Sequence, residues 1–115
     1  MNVKIYHNPR CSKSRQTLAL LQDQGITPDI IEYLKHPPSL SELHEILHLL
    51  KLEPRDVMRK QEAEYKMLGL DDMQLSREVL CNALLNYPKL LERPIVLANH
   101  KAAIGRPPET VLAIL

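Results

Sequence analysis

Phenylalanine and tryptophan are absent from this 115-residue chain, and tyrosine occurs only four times. The core is therefore aliphatic, and the stacking platforms on which single-stranded nucleic acids lie are missing. An excess of charge of one sign is missing too: 15 Lys and Arg stand against 14 Asp and Glu, which leaves no electrostatic footprint for a polyanion. No apolar run approaches the ~20 residues of a membrane span, and Met1-Asn2-Val3-Lys4 begins a strand in place of a secretory leader. The two cysteines, Cys11 and Cys81, do not make a disulfide framework. The expected setting is a reducing cytoplasm in which Cys11 stays free to react, with neither nucleic acid nor membrane as partner.

What is present is organised around Tyr6-His7-Asn8-Pro9-Arg10-Cys11-Ser12-Lys13-Ser14-Arg15. A short apolar strand, Val3 to Tyr6, runs into this segment and a helical pattern leaves it, so Cys11 falls where a strand's end meets a helix's beginning. The first turn of a helix has unpartnered N–H groups and about half a positive charge. Both favour a thiolate, and cysteines so placed can have pKa values lowered from about 8.5 to ~3.5–7.5. Ser14 follows at a spacing that lets its hydroxyl reach the sulfur, and His7, Arg10, Lys13 and Arg15 add cationic or protonatable groups. A free cysteine is more often a small buried hydrophobe, but these flanks are polar and basic.

Beyond this segment, Leu18, Leu20 and Leu21 line a helix closed by Gly25, and Pro28 opens a second strand over Asp29 to Leu34. Strand, helix, strand is the beginning of an α/β sheet. Pro37-Pro38 interrupts it, and Ser39 with Glu42 forms a capping box for a helix whose Leu40, Leu43, Ile46, Leu47 and Leu50 share one face. Short helices are expected from Pro54 to Arg59 and from Glu62 to Leu68, the second stopped by Gly69; Ser76 caps another to Asn86, carrying Val79, Leu80, Ala83 and Leu84. Cys81 lies inside that helix as a packing residue. Glu92 to Ala98 and Lys101 to Gly105 read as a hairpin turning at Asn99-His100, and Arg106-Pro107-Pro108 starts a last helix to Leu115. The reading is an α/β core at 1–36 and 88–115 with an all-helical insertion at 37–87.

His44-Glu45-Ile46-Leu47-His48 matches the H-E-x-x-H zinc pattern. At helical spacing both histidines flank the leucine stripe on its polar side, and a catalytic zinc needs a third protein ligand and a cleft for substrate. A solvated helix face is the preferred reading, with no metal.

The segment H-N-P-x-C-x-x-S-R at 7–15 is joined, in order, by Met58-Arg59-Lys60, Arg93-Pro94-Ile95-Val96 and Gly105-Arg106-Pro107. In this combination the chain resembles the glutaredoxin-dependent arsenate reductase (ArsC-type) family over nearly its whole length. The resemblance implies a single domain with a thioredoxin-like fold, a mixed sheet flanked by helices, with a helical insertion. It implies Cys11 as nucleophile, His7 and Ser14 as groups assisting the thiolate, Arg59, Arg93 and Arg106 as oxyanion ligands, and Pro94 as a cis-proline facing the cysteine. It further implies a monomer that takes arsenate or a similar oxyanion, binds no cofactor, uses glutathione as thiol cosubstrate and is recycled by glutaredoxin. The chemistry agrees, since arginine's planar fork grips tetrahedral oxyanions through paired, charge-assisted hydrogen bonds. The alternatives are a general glutathione-linked thiol oxidoreductase and an Spx-type regulator that binds RNA polymerase. The latter usually carries a C-x-x-C switch, whereas position 14 here is serine.

Overall fold

In the computed structural model, which describes residues 2–115, the chain forms two compact units, Met1–His36 with Arg93–Leu115 and Pro37–Glu92. The first is built on β1 (Lys4–His7), α1 (Ser12–Asp23), β2 (Asp29–Glu32), β3 (Ile95–Ala98) and β4 (Lys101–Ile104). The sheet order is β2-β1-β3-β4, with β1 and β2 parallel and the other pairs antiparallel. Parallel strands need a crossover, and α1 supplies it, closed by Gly25 at φ 76°. Antiparallel strands can turn tightly, and Asn99 and His100 do so with φ of 53° and 60°, the left-handed pair a two-residue hairpin demands.

Strand alternation sends Val3, Ile5, Val96, Ala98 and Ala103 to one face, where Leu21 of α1 and Val111 and Ile114 complete an aliphatic core. The last segment, Pro108–Ile114, is a 3-10 helix and not the α-helix its proline start suggested. Its tighter winding still places Pro108, Val111 and Ile114, three apart, on one buried side. Gly105 sits at a close approach: a Cβ there would lie 2.5 Å from Thr17 Oγ1 and 2.9 Å from Pro94 Cγ. Only a residue without a side chain lets the end of β4 pass between α1 and Pro94.

The second unit is helical: α2 (Leu40–Leu50), a 3-10 turn at Pro54–Val57, α3 (Ala63–Met67), α4 (Arg77–Asn86) and a 3-10 turn at Pro88–Leu90. Both halves of the Ser39–Glu42 capping box are made, at 3.1 and 2.9 Å, and Ser76 Oγ accepts from Val79 N–H. Leu43, Ile46 and Leu47 form the buried stripe of α2, but Leu40, in its first turn, is 41% exposed, as is Val79 of α4 at 46%. The helical unit also runs further than the reading above allowed. Leu91 bridges Met58, and Glu92 N–H donates to Val57 C=O at 2.8 Å, so 88–92 go with the helices and the sheet unit resumes at Arg93. A mixed four-stranded sheet with flanking helices and a helical insertion after β2 is the thioredoxin-like arrangement.

Gly105→Ala forces a Cβ into a space already filled by Thr17 and Pro94. Overpacking of this kind costs about 1–3 kcal/mol, and urea unfolding of the variant should show that loss; an unchanged midpoint would mean the loop shifts freely.

Candidate active site

The loop from β1 to α1 is held by its own polar groups. Asn8 Oδ1 accepts from Arg10 N–H at 3.0 Å, Asn8 C=O accepts from Cys11 N–H at 3.0 Å, and Arg15 Nη1 donates to Pro9 C=O at 2.9 Å. Arg15, counted above among cations near the sulfur, thus ties the loop to α1. Arg10 and Lys13 are exposed. Cys11 is the residue capping α1, 8% exposed, and its sulfur lies beside the N–H groups of Ser14 and Lys13.

Burial is the largest influence on Cys11 and pushes its pKa up, yet the net shift is downward. Hydrogen bonding from Arg93, the Ser14 and Lys13 N–H groups and the charge of Arg93 together outweigh desolvation. Arg93 in turn loses to burial but is held protonated by Cys11 and by Tyr33, a residue with no solvent exposure at the end of β2. Arg93 Nε is buried and has no hydrogen-bond partner in the protein, an N–H donor left over in the neighbourhood of the Cys11 sulfur. Arg106 Nη2 lies 4.0 Å from the sulfur, and Arg106 Nε donates to the Arg93 C=O at 3.0 Å, so the two arginines are locked together. Each precedes a cis-proline, Pro94 and Pro107. Pro94 C=O accepts from Gly105 N–H at 2.9 Å, which fastens the two arginine-bearing loops to each other.

His7 and Ser14 meet at 2.6 Å between Nδ1 and Oγ, both buried, and Ser14 Oγ also accepts from Asn8 N–H at 3.0 Å. Burial lowers the His7 pKa, helped by Arg15 and opposed by Glu32, which stands opposite His7 in the β1–β2 register. The imidazole is therefore largely neutral at neutral pH. His7 also lines a cleft of about 370 Å³ with Asn8, Pro9, Arg10, Glu32, Leu34 and Lys35.

Of the residues singled out from sequence, the sheet unit thus brings His7, Cys11, Ser14, Arg93 and Arg106 to one place, with Pro94 between the arginine loops. Arg59 belongs to the helical unit, where its N–H donates to Leu90 C=O and Nη1 pairs with Glu62 Oε1 at 2.5 Å. His44 and His48 are exposed on α2, and among the described residues no three His, Cys, Asp or Glu come together as metal ligands.

This grouping of a helix-capping cysteine and paired Arg-Pro loops has counterparts. A sequence profile described as the ArsC family matches residues 6–114. The chain belongs to the ArsC family. An arsenate reductase of Neisseria meningitidis serogroup A is 52% identical, the match covering 98% of this chain and 97% of that one. An uncharacterized protein, YfgD of Escherichia coli K12, is 53% identical over 98% of this chain and 96% of its own. An arsenate reductase structure from Vibrio cholerae superposes with a TM-score of 0.97 at 55% identity, covering 100% of this chain and 98% of that one.

Three members of the site escaped the sequence reading. Tyr33 and Glu32 fall within the segment expected as the second strand and Thr17 within the first helix, and none was singled out. Thr17 is fully buried, with Oγ1 bonded to Lys13 C=O at 2.8 Å. Tyr33 alone carried a signal, as one of few aromatics in a chain that otherwise builds with aliphatics.

Cys11 should alkylate with a half-maximal pH below that of an ordinary thiol, about 8.5. Fully buried Cys81, whose pKa burial raises, should stay unlabelled in the native protein. Arg93→Met removes the strongest favourable influence and should move the Cys11 profile to higher pH; an unmoved profile in iodoacetamide kinetics would show that the helix terminus suffices.

Proposed function

We propose that this chain is an arsenate reductase acting through a Cys11 thiolate, in a reducing cytoplasm. The observation that carries the reading is a buried sulfur at a helix N-terminus with two arginines beside it, one holding an unpaired N–H donor. Arsenate-reductase relatives at about half identity over full length supply the substrate class. Arg93, Arg106 and the first turn of α1 bind the tetrahedral oxyanion and neutralise it. Arg59 is the third arginine assigned to the anion, and Pro94 the cis-proline of the site.

The Cys11 sulfur attacks pentavalent arsenic, forming an S–As bond while an As–O bond breaks and its electron pair leaves with oxygen. That oxygen takes up protons and departs as water, and arsenic is still pentavalent. A glutathione thiol then attacks the Cys11 sulfur. The S–As electron pair goes to arsenic, which leaves as trivalent arsenite, and the two sulfurs are oxidised to a mixed disulfide. Glutaredoxin takes over the glutathione and returns Cys11 to the thiolate. Serine at position 14, where a dithiol enzyme would carry its resolving cysteine, suits a reaction that borrows outside thiols. His7 and Ser14 hold the loop in which the sulfur sits.

With glutathione and glutaredoxin supplied, the protein should form arsenite from arsenate, and Cys11→Ser should abolish it. Arg93→Ala and Arg106→Ala should each lower kcat/KM by about 10²-fold or more, the scale of a lost oxyanion donor. Arsenite production that survives Cys11→Ser would sink the assignment.

A further inference from the structure

The mechanism above leaves the cleft beside His7 without a task, although the imidazole lining it is bonded to Ser14. Expelling oxygen as water requires a proton at the departing atom. The sulfur cannot give it, because it reacts already ionised, and the guanidinium groups hold theirs too tightly. His7 is of the type that exchanges a proton near neutrality. It is also the group that connects outside and inside: 6% exposed, on the cleft wall, with Nδ1 2.6 Å from Ser14 Oγ. Ser14 has no solvent exposure, and its backbone N–H lies at the Cys11 sulfur. The parallel register sets Glu32 directly across from His7 at the cleft mouth.

We propose that this cleft is the proton entry of the reaction, His7 and Ser14 passing a proton inward and Glu32 acting as the positioning carboxylate at its mouth; this rests on the arsenate reading for the departing oxygen. A proton from solvent loads the imidazole, the Nδ1–H gives its proton to Ser14 Oγ, and the serine's own hydroxyl proton goes to the leaving oxygen as the As–O bond breaks. Ser14 regains a hydroxyl proton, His7 ends neutral with its proton on Nε2, and nothing in the relay is oxidised or reduced.

The charges around His7 define the test. Glu32 on β2 faces it, Arg15 approaches from α1, Arg10 and Lys35 line the cleft, and Lys35 Nζ is 3.7 Å from Glu32 Oε1. On the β3 side the register after Tyr6 and Ile95 leads to Pro94, which has no charge. Burial and Arg15 lower the His7 pKa and Glu32 alone opposes them. Removing the carboxylate must therefore lower it further.

In Glu32→Gln, the His7 imidazole titration followed by NMR should shift to lower pH. The alkaline limb of arsenate reduction should move down with it, and Glu32→Asp should bring both back. Cys11 alkylation should stay within about twofold, since thiolate formation does not use the relay. A structural role for Glu32 would scale the rate equally at every pH. Active wild type with an unmoved limb or an unmoved His7 titration in Glu32→Gln overturns the proposal and leaves the arsenate reading standing. No arsenate turnover by the wild type overturns both.

Discussion

A sulfur that is nearly sealed from water stays ionised only if fixed dipoles and charges replace the water it has lost. Everything around Cys11 serves that replacement. Desolvation is the largest single influence on the thiol and works against the thiolate, so the balance is reversed only by several groups together: the α1 N–H donors and the Arg93 guanidinium. Their positions depend on the fold more than on any one bond. The helix can aim its N-terminus at the sulfur because a parallel crossover places α1 directly after β1, and Arg93 arrives because β3 runs antiparallel beside β1 and begins where β1 ends.

The same constraint explains the tight packing beneath the site. Arg93 and Arg106 lie on separate loops, and each could have swung to solvent as surface arginines do. Three contacts hold the two loops together, although Arg106 itself stays exposed: Arg106 Nε on the Arg93 C=O, Gly105 N–H on the Pro94 C=O, and the close approach of Gly105 to Thr17 and Pro94. Tyr33 supports Arg93 from β2. A cation held in this way is ready for an anion without reorganising, which is the condition under which electrostatic stabilisation of a reacting oxyanion is strongest. His7 lines the cleft and is joined to buried Ser14 by a short hydrogen bond, with the Asn8 N–H also donating to the serine.

The helical unit carries two of the motifs singled out from sequence. H-E-x-x-H reads as a zinc site by spacing, yet its histidines stand on the exposed side of α2, because the leucine stripe claims the opposite side. Arg59 reads as an anion ligand by order in the chain, and within its unit it is paired with Glu62. A partly buried ion pair of this kind leaves both charges satisfied, so Arg59 differs in surroundings from Arg93, whose Nε has no protein partner.

Local features were legible from residue order, because they are settled by spacing along one element: the Ser39–Glu42 capping box, the Asn99-His100 turn, the buried stripe of α2, and Cys11 at the start of α1 with Ser14 one turn on. Hydrogen bonds within a few residues of one another need no knowledge of the rest of the chain. Elements that close on distant partners were not legible. The last helix winds as 3-10, residues 88–92 join the helices through the Met58–Leu91 bridge, and Leu40 and Val79 face outward despite their apolar periodicity. The meeting of Arg93, Arg106 and Tyr33 at a sulfur far away in sequence belongs with these. Strand pairing and core packing set such distances, and neither is encoded in the neighbours of the residues it brings together.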